Sequence, residues 1–194
     1  MKRVLLVVVC MLVLALPAMA QPPAQGAGAT ADPFSKALKA SFDTVSRYLA
    51  GSAEKMPEAN FAFKPTPEVR SFGEIVGHVA NTHYSYCSRI KGEKNPNEGN
   101  DLEKKTAKAD IVKALNDSIA YCAAAYDTMT DAKAVELMAS PAAPAGMPAR
   151  PAAAPAPRLR LLLGNVTHDQ EHYGNLVTYL RLKGLVPPSS EPRK

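Results

Sequence analysis

Two of the four histidines in this 194-residue chain lie four positions apart in the stretch "HDQEHYGNLVTYLRLKG", residues 168 to 184. Residues at positions i and i+4 of an α-helix are about 40° apart, so the imidazoles of His168 and His172 can reach a single ion. Zinc sites use this spacing together with a third protein ligand and an open position. The pair therefore predicts either a metal centre or two ordinary histidines in the wall of a helical bundle.

The helix that carries this pair has an apolar stripe with a polar stripe beside it. Its apolar residues cluster around one direction, and they are Leu162, Val166, Tyr173, Leu176, Val177 and Leu180. His168 and His172 point roughly 90° away from that direction, at about 100° per residue. On the same side lie Asn165, Asn175 and Tyr179. A polar stripe that flanks an apolar one is typical of a pocket wall and favours the ligand interpretation.

A third histidine ligand has to come from the second predicted helix, which carries His78 and His83. These two residues are about 140° apart on the helical wheel, so we do not expect them to bind the same ion. Periodicity places His83 near the middle of the apolar face, inside the bundle. His78 lies roughly 120° from that face, like the off-face pair on the last helix. The pattern favours His78 and leaves His83 as the alternative.

Local signals mark the first two helices. Asp32–Pro33 resembles an N-cap followed by a first-turn proline, and apolar residues at helical spacing continue to about Gly51. Ser71 and Glu74 match the capping-box pattern, in which each side chain satisfies a main-chain amide of the other residue. They predict a second helix that ends near Gly92.

Two further helices flank a segment of unusual composition. The third helix has one apolar face, formed by Ile111, Leu115, Ile119, Cys122, Tyr126 and Met129. Residues 139–157, "ASPAAPAGMPARPAAAPAP", are mostly Ala and Pro and predict a disordered, solvated loop. The fourth helix runs from Arg158 to Lys183 and ends at Gly184. Because no segment has the alternating polarity of a strand, the sequence predicts an all-α four-helix bundle.

The N-terminus has the pattern of a secretory signal peptide. A basic start precedes an apolar run from Val4 to Leu16, and Ala18–Met19–Ala20 supplies a small-x-small cleavage site before Gln21. We therefore expect residues 1–20 to be removed and the protein to be secreted or periplasmic. No other segment is long and apolar enough to predict a membrane span.

The predicted mature chain is one domain with a small excess of positive charge. Residues 21–31 predict a disordered N-terminus and residues 32–190 the folded domain. Loss of Lys2 and Arg3 takes the net charge from +5 to +3, which argues against a nucleic-acid groove. Cys87 and Cys122 are the cysteines left after cleavage, and they could form a disulfide in an oxidising compartment.

Two stretches resemble the DinB-like, damage-inducible family of four-helix-bundle metalloproteins. They are "RSFGEIVGHVA", Arg70 to Ala80, and "HDQEHYGNLVTYLRLKGLVPPSS", His168 to Ser190. The resemblance implies a divalent metal bound by one histidine of the second helix and two of the last. Those positions are His78, His168 and His172 here. Three histidines suit zinc, nickel, iron or manganese, and a homodimer is compatible with such bundles.

The resemblance also limits the chemistry to be expected. The family includes thiol transferases that use bacillithiol or mycothiol, and related hydrolases. Because those thiols are cytosolic, the signal peptide argues against thiol transfer. We expect a metal-dependent hydrolase or transferase of an unknown small molecule, with Glu171 as the catalytic base. Asn165 and Tyr179 are the expected substrate contacts, and Asp169 or Glu171 could accept a ligand's second N–H. The alternative is a non-catalytic exported bundle with a structural or sensing metal.

Overall fold

The computed structural model describes residues 31–139 and 154–192. Within them the helices are α1 (Pro33–Lys55), α2 (Phe72–Lys91), α3 (Lys108–Asp127), the short α4 (Asp131–Ala134) and α5 (Leu159–Leu182). Single 3-10 turns occupy Glu58–Asn60, Leu102–Lys104 and Pro188–Ser190. The predictions for the signal peptide, for residues 21–30 and for most of the Ala/Pro-rich loop lie outside the described residues.

The four long helices form a bundle in which each packs mainly against two others. α2 packs against α3 and α5, and α1 packs against the other sides of the same two helices. α1 and α2 are therefore diagonal partners with few contacts. The predicted all-α four-helix bundle is confirmed. No helix in the described part of the chain is both long and apolar enough to cross a bilayer.

One element was absent from the sequence prediction. The two-residue strands β1 (Leu137–Met138) and β2 (Ala156–Pro157) pair in antiparallel fashion, with Leu137 opposite Pro157. A ladder of two residues is too short to leave an alternating pattern in the sequence. It joins the two described segments that flank residues 140–153.

The start of α1 differs from the prediction. Asp32 makes no side-chain cap of α1, because its backbone is left-handed at φ 58° and its carboxylate accepts the N–H of Asp131 instead. The carboxylate of Asp131 takes over as the cap, and it accepts the N–H groups of Ser35 at 2.8 Å and Phe34 at 3.3 Å. The end differs as well. The helix continues past Gly51 for one more turn, whose inner residues are buried.

The boundaries of the two site-bearing helices follow the predicted signals closely. The Ser71 hydroxyl accepts the N–H of Glu74, and the Glu74 carboxylate accepts the N–H of Ser71, so the predicted capping box is confirmed. α2 ends at Gly92 and α5 ends just before Gly184, and both glycines have φ near +70°. A left-handed residue at this position is the common way for a helix to end, and glycine adopts it without strain.

The interior contains a small apolar cluster of Ala80, Leu102 and Ala114, and two larger apolar clusters separated by polar side chains. One cluster centres on Leu49, Phe72, Leu115 and Leu180, and the other on Phe42, Tyr126 and Leu162. Between them, four buried polar residues come from the middle of α2, α3 and α5. We call His83, Ser118, Asn165 and Asp169 the buried polar layer. One helical turn away, Cys87 and Cys122 are joined by a disulfide between α2 and α3, with Cα atoms 5.3 Å apart.

Candidate metal centre

The three histidines expected to bind metal lie together where α2 passes α5. The Nε2 atom of His168 is 3.1 Å from Nε2 of His78 and 3.1 Å from Nε2 of His172. One ring nitrogen from each residue falls within 4.8 Å of the others, a group that could hold a metal ion. Two of the residues share one face of α5 because they are four apart, and α2 supplies the third.

The spacing of these nitrogens fits a metal ion. In a tetrahedral site with Zn–N bonds of about 2.0–2.1 Å, neighbouring nitrogens are roughly 3.3 Å apart. The two separations of 3.1 Å are close to that value. Three imidazole nitrogens that face one point offer lone pairs whose best common partner is a cation. The donor set therefore fits a divalent transition metal.

The His78 ring is held from behind by residues outside the helices. Its Nδ1 atom lies 2.7 Å from the Glu103 carboxylate, whose second oxygen accepts the Nε–H of Arg70 at 2.8 Å. The carboxylate thus fixes the proton of His78 on Nδ1 and leaves Nε2 with a lone pair. Glu103 reaches this position because Gly77 lets its segment approach α2. A Cβ atom at Gly77 would lie 2.5 Å from the carbonyl oxygen of Leu102.

The environment of His172 keeps its ring neutral. Burial, followed by the neighbouring rings of His168 and His78, lowers the pKa of His172 from 6.5 to about 4. Its imidazole is therefore uncharged at neutral pH, as a metal ligand must be. The side-chain amide of Asn175 lies 3.4 Å from its Nδ1 atom, on the side away from the other histidines.

The residues predicted to contact substrate have different surroundings. Asn165 is fully buried and donates to the Asp169 carboxylate at 3.2 Å. Tyr179 is 5% exposed and its hydroxyl donates to the carbonyl oxygen of Arg70 at 2.5 Å. The geometry supports neither as a substrate contact. The proposed base, Glu171, is exposed, and its charge acts on His172.

A sequence model of the DinB superfamily matches residues 41–176, well over half of the chain, and the match includes all three histidines. The chain belongs to the DinB superfamily. No curated protein sequence matches it significantly.

Solved structures share this DinB fold at low sequence identity. A DinB-like protein from Bacillus subtilis is 19% identical with a TM-score of 0.62, covering 81% of this chain and 99% of its own. A DinB-like protein from Bacillus cereus is 16% identical with a TM-score of 0.61, covering 79% and 95%. A conserved protein from Enterococcus faecalis is 14% identical with a TM-score of 0.60, covering 77% and 96%. These similarities establish the fold.

Sequence reasoning missed two residues that hold His78 in place, Glu103 and Arg70. Glu103 lies in a turn-rich connection without periodicity, and it is 25 positions from His78. A signal existed in Gly77 and Asn81, which lie one turn apart on α2. Gly77 allows the close approach, and the Asn81 side chain accepts the N–H of Leu102 at 3.1 Å.

Proposed function

We propose that the protein is an exported metalloenzyme that uses a three-histidine centre for hydrolysis or group transfer on a small molecule. The observation that carries this proposal is the convergence of three Nε2 atoms from His78, His168 and His172. Membership of the DinB superfamily supports it independently. Zinc, nickel, iron and manganese all suit the donor set.

Partial exposure of the ligands favours catalysis over a closed structural site. The side chains of His78 and His168 are 23% and 19% exposed, so one side of the centre faces solvent. Structural zinc sites have four protein ligands, whereas catalytic sites have three and an open position. A divalent ion held by three histidines supplies Lewis acidity to whatever small molecule occupies that position.

Two acidic residues near the histidines have separate tasks in this proposal. Glu103 orients His78 and is itself held by Arg70. Glu171 is exposed beside His172, where its carboxylate can take a proton from a bound molecule. Asn165 and Tyr179 instead support the surrounding structure, because the Asn165 amide N–H donates to Asp169 and the Tyr179 hydroxyl donates to the carbonyl oxygen of Arg70.

One observation favours a second candidate, a non-catalytic bundle stabilised or switched by metal. The three proposed ligands come from two helices, α2 and α5, and His78 on α2 is 90 positions from His168 on α5. An ion bound to both α2 and α5 would cross-link them and would stabilise the folded state over the unfolded state.

Export of the protein is part of the same proposal. The N-terminal signal pattern supports it, and so does a cysteine pair placed for a disulfide between α2 and α3. Disulfides persist in secreted and periplasmic proteins and are rare in the cytosol.

Elemental analysis of the protein isolated from the periplasm tests metal binding. We expect about one equivalent of a transition metal in the wild type and none in the His168→Ala/His172→Ala variant. Gln170→Ala is the matched control, because it lies between the two histidines on the same helix and is exposed. Absence of metal from the wild type, even after addition of zinc or nickel at neutral pH, would refute the proposal.

A substrate screen then separates the enzyme from the structural alternative. We expect metal-dependent turnover of an ester, an amide or an activated electrophile, lost in Glu171→Gln while bound metal is retained. The structural alternative predicts a lower melting temperature after metal removal and no turnover in the screen. Turnover that persists in the metal-free protein would contradict the enzyme mechanism.

A further inference from the structure

Asp169 follows His168 in sequence but points into the bundle. The side chain of Asp169 is fully buried, and so is that of His83 on the facing helix α2. The Nε2 atom of His83 lies 3.0 Å from each oxygen of the Asp169 carboxylate. Asn165, one turn before Asp169, donates to Oδ2 at 3.2 Å.

Burial of a carboxylate is energetically unfavourable, and several polar groups hold that of Asp169 in place. Taking a carboxylate out of water is unfavourable unless hydrogen bonds replace the lost solvent. His83 is fixed in turn, because its Nδ1 atom lies 3.0 Å from the Ser118 hydroxyl on α3. That hydroxyl donates to the carbonyl oxygen of Leu115 at 2.7 Å. The Asp169 carboxylate is thereby held in one orientation by two neighbouring helices.

A ring nitrogen of His168 lies beside this carboxylate and has no hydrogen-bond partner among the described residues. The Nδ1 atom of His168 is buried, and no described residue forms a hydrogen bond with it. The other two histidines differ, because Nδ1 of His78 faces Glu103 and Nδ1 of His172 faces Asn175. A buried polar group without a partner is rare and calls for a physical reason. Asp169 Oδ1 lies 3.9 Å from this atom, just beyond hydrogen-bonding distance.

Metal binding supplies that reason. A histidine that binds an ion through Nε2 must carry its proton on Nδ1, and that N–H needs an acceptor. Asp169 Oδ1 contacts only His83 among the described residues, and a carboxylate oxygen can accept two hydrogen bonds. A ring movement of about 1 Å would bring Nδ1 within reach of it.

We propose that Asp169 is a positioning residue for the metal centre, and that its carboxylate accepts the Nδ1–H of His168 when the ion is bound. His83 serves this same purpose from α2, since it fixes the carboxylate in place. The inference rests on the proposed metal site and goes beyond it. It gives a role to His83, which is not one of the three proposed metal ligands. It also makes the buried polar layer part of the proposed metal site.

The test compares zinc affinity, measured by competition with a chromophoric chelator, in the wild type and Asp169→Asn. We expect the variant to bind zinc about 10–100-fold more weakly, the usual effect of losing a partner behind a ligand. Ser52→Ala is the control for general destabilisation, because Ser52 is also fully buried but lies on α1 away from the histidines. Its zinc affinity should match that of the wild type.

A second comparison separates a positioning role from a purely structural one. If Asp169 acts through His168, then Asp169→Asn should cause no further loss of affinity in a His168→Ala background. An equal loss in both backgrounds, or an unchanged affinity in Asp169→Asn alone, would overturn the inference while the metal site stands. Failure of the wild type to bind zinc would remove the proposed function and this inference together.

A measurement on the wild type covers the case in which Asp169→Asn does not fold. Nuclear magnetic resonance of the zinc-loaded protein should show the Nδ1 proton of His168 as a slowly exchanging, hydrogen-bonded signal that is missing without zinc. Observation of a rapidly exchanging Nδ1 proton, or of zinc bound to Nδ1 instead of Nε2, would overturn the proposal.

Discussion

Reduction of the bond between Cys87 and Cys122 should destabilise the protein by a large fraction of its folding free energy. The two residues are 35 positions apart, and the chain-entropy relation gives about 4 kcal/mol for a closed loop of that length. A domain of this size shifts its melting temperature by about 2–4 °C per kcal/mol, so the expected decrease is about 8–16 °C.

The assay is thermal and urea unfolding, followed by circular dichroism, of one protein preparation with and without a reducing agent. The Cys87→Ala/Cys122→Ala variant is the control, because the reducing agent should not change its stability. It should resemble the reduced wild type, apart from the loss of two buried sulfur atoms. Titration of thiols in the unfolded, non-reduced protein should detect none from Cys87 and Cys122, so a preparation that retains residues 1–20 should show only the thiol of Cys10.

Two outcomes would refute this reasoning. Free thiols at Cys87 and Cys122 in protein isolated from an oxidising compartment under non-reducing conditions would show that the disulfide does not form there. Equal stability of the oxidised and reduced protein would show that the bond constrains the unfolded chain less than its loop length suggests.

Three further predictions concern the site and the supports of the helices. Glu103→Gln should weaken zinc binding about 10–100-fold, because His78 loses a charged hydrogen-bond acceptor. The control variant Glu98→Gln changes an exposed glutamate and should leave zinc affinity unchanged; competition with a chelator measures both affinities. The pKa of His172 is lower in the folded state than in the unfolded state, so the metal-free protein should lose stability as the pH falls from about 6.5 to about 4. Urea unfolding at a series of pH values should show a smaller loss in His172→Gln than in the wild type. Asp131→Ala should lower the melting temperature because α1 loses its cap; equal stability of variant and wild type would contradict the capping role.

The sequence could predict the parts of the site that depend on geometry within one helix. The spacing of His168 and His172 fixes their common face once α5 forms, and the structure places their Nε2 atoms 3.1 Å apart. The choice between His78 and His83 depends instead on how α2 is rotated against α5. Periodicity gives the mean direction of an apolar face but not that rotation, so the family resemblance was needed to choose.

Other parts depend on the tertiary fold and were not visible in any local pattern. Glu103 reaches His78 because a non-helical segment lies against a glycine of α2, a contact with no periodicity to indicate it. The cap of α1 comes from Asp131, which is nearly a hundred positions away in sequence. The local sequence pattern instead indicates the adjacent Asp32, because it cannot show a contact at that separation. Short-range signals predict that a helix begins, but they do not always identify the residue that satisfies its amides.

Asn165 shows that a helical wheel gives the direction of a side chain but not its depth of burial. The wheel placed Asn165 on the side of the histidines and made it a candidate for substrate contact. It is fully buried, because a direction on the wheel does not give depth when the neighbouring helix covers that side. His168 and Asp169 are one step of about 100° apart, and His172 falls between them. The polar stripe of α5 therefore has a solvent-facing edge, which carries the proposed metal ligand His168, and a buried edge, where Asp169 contacts His83 of α2. A ligand pair on such a stripe is positioned by the residues between and beside its members, so substitutions at the buried edge should affect metal affinity as well as stability.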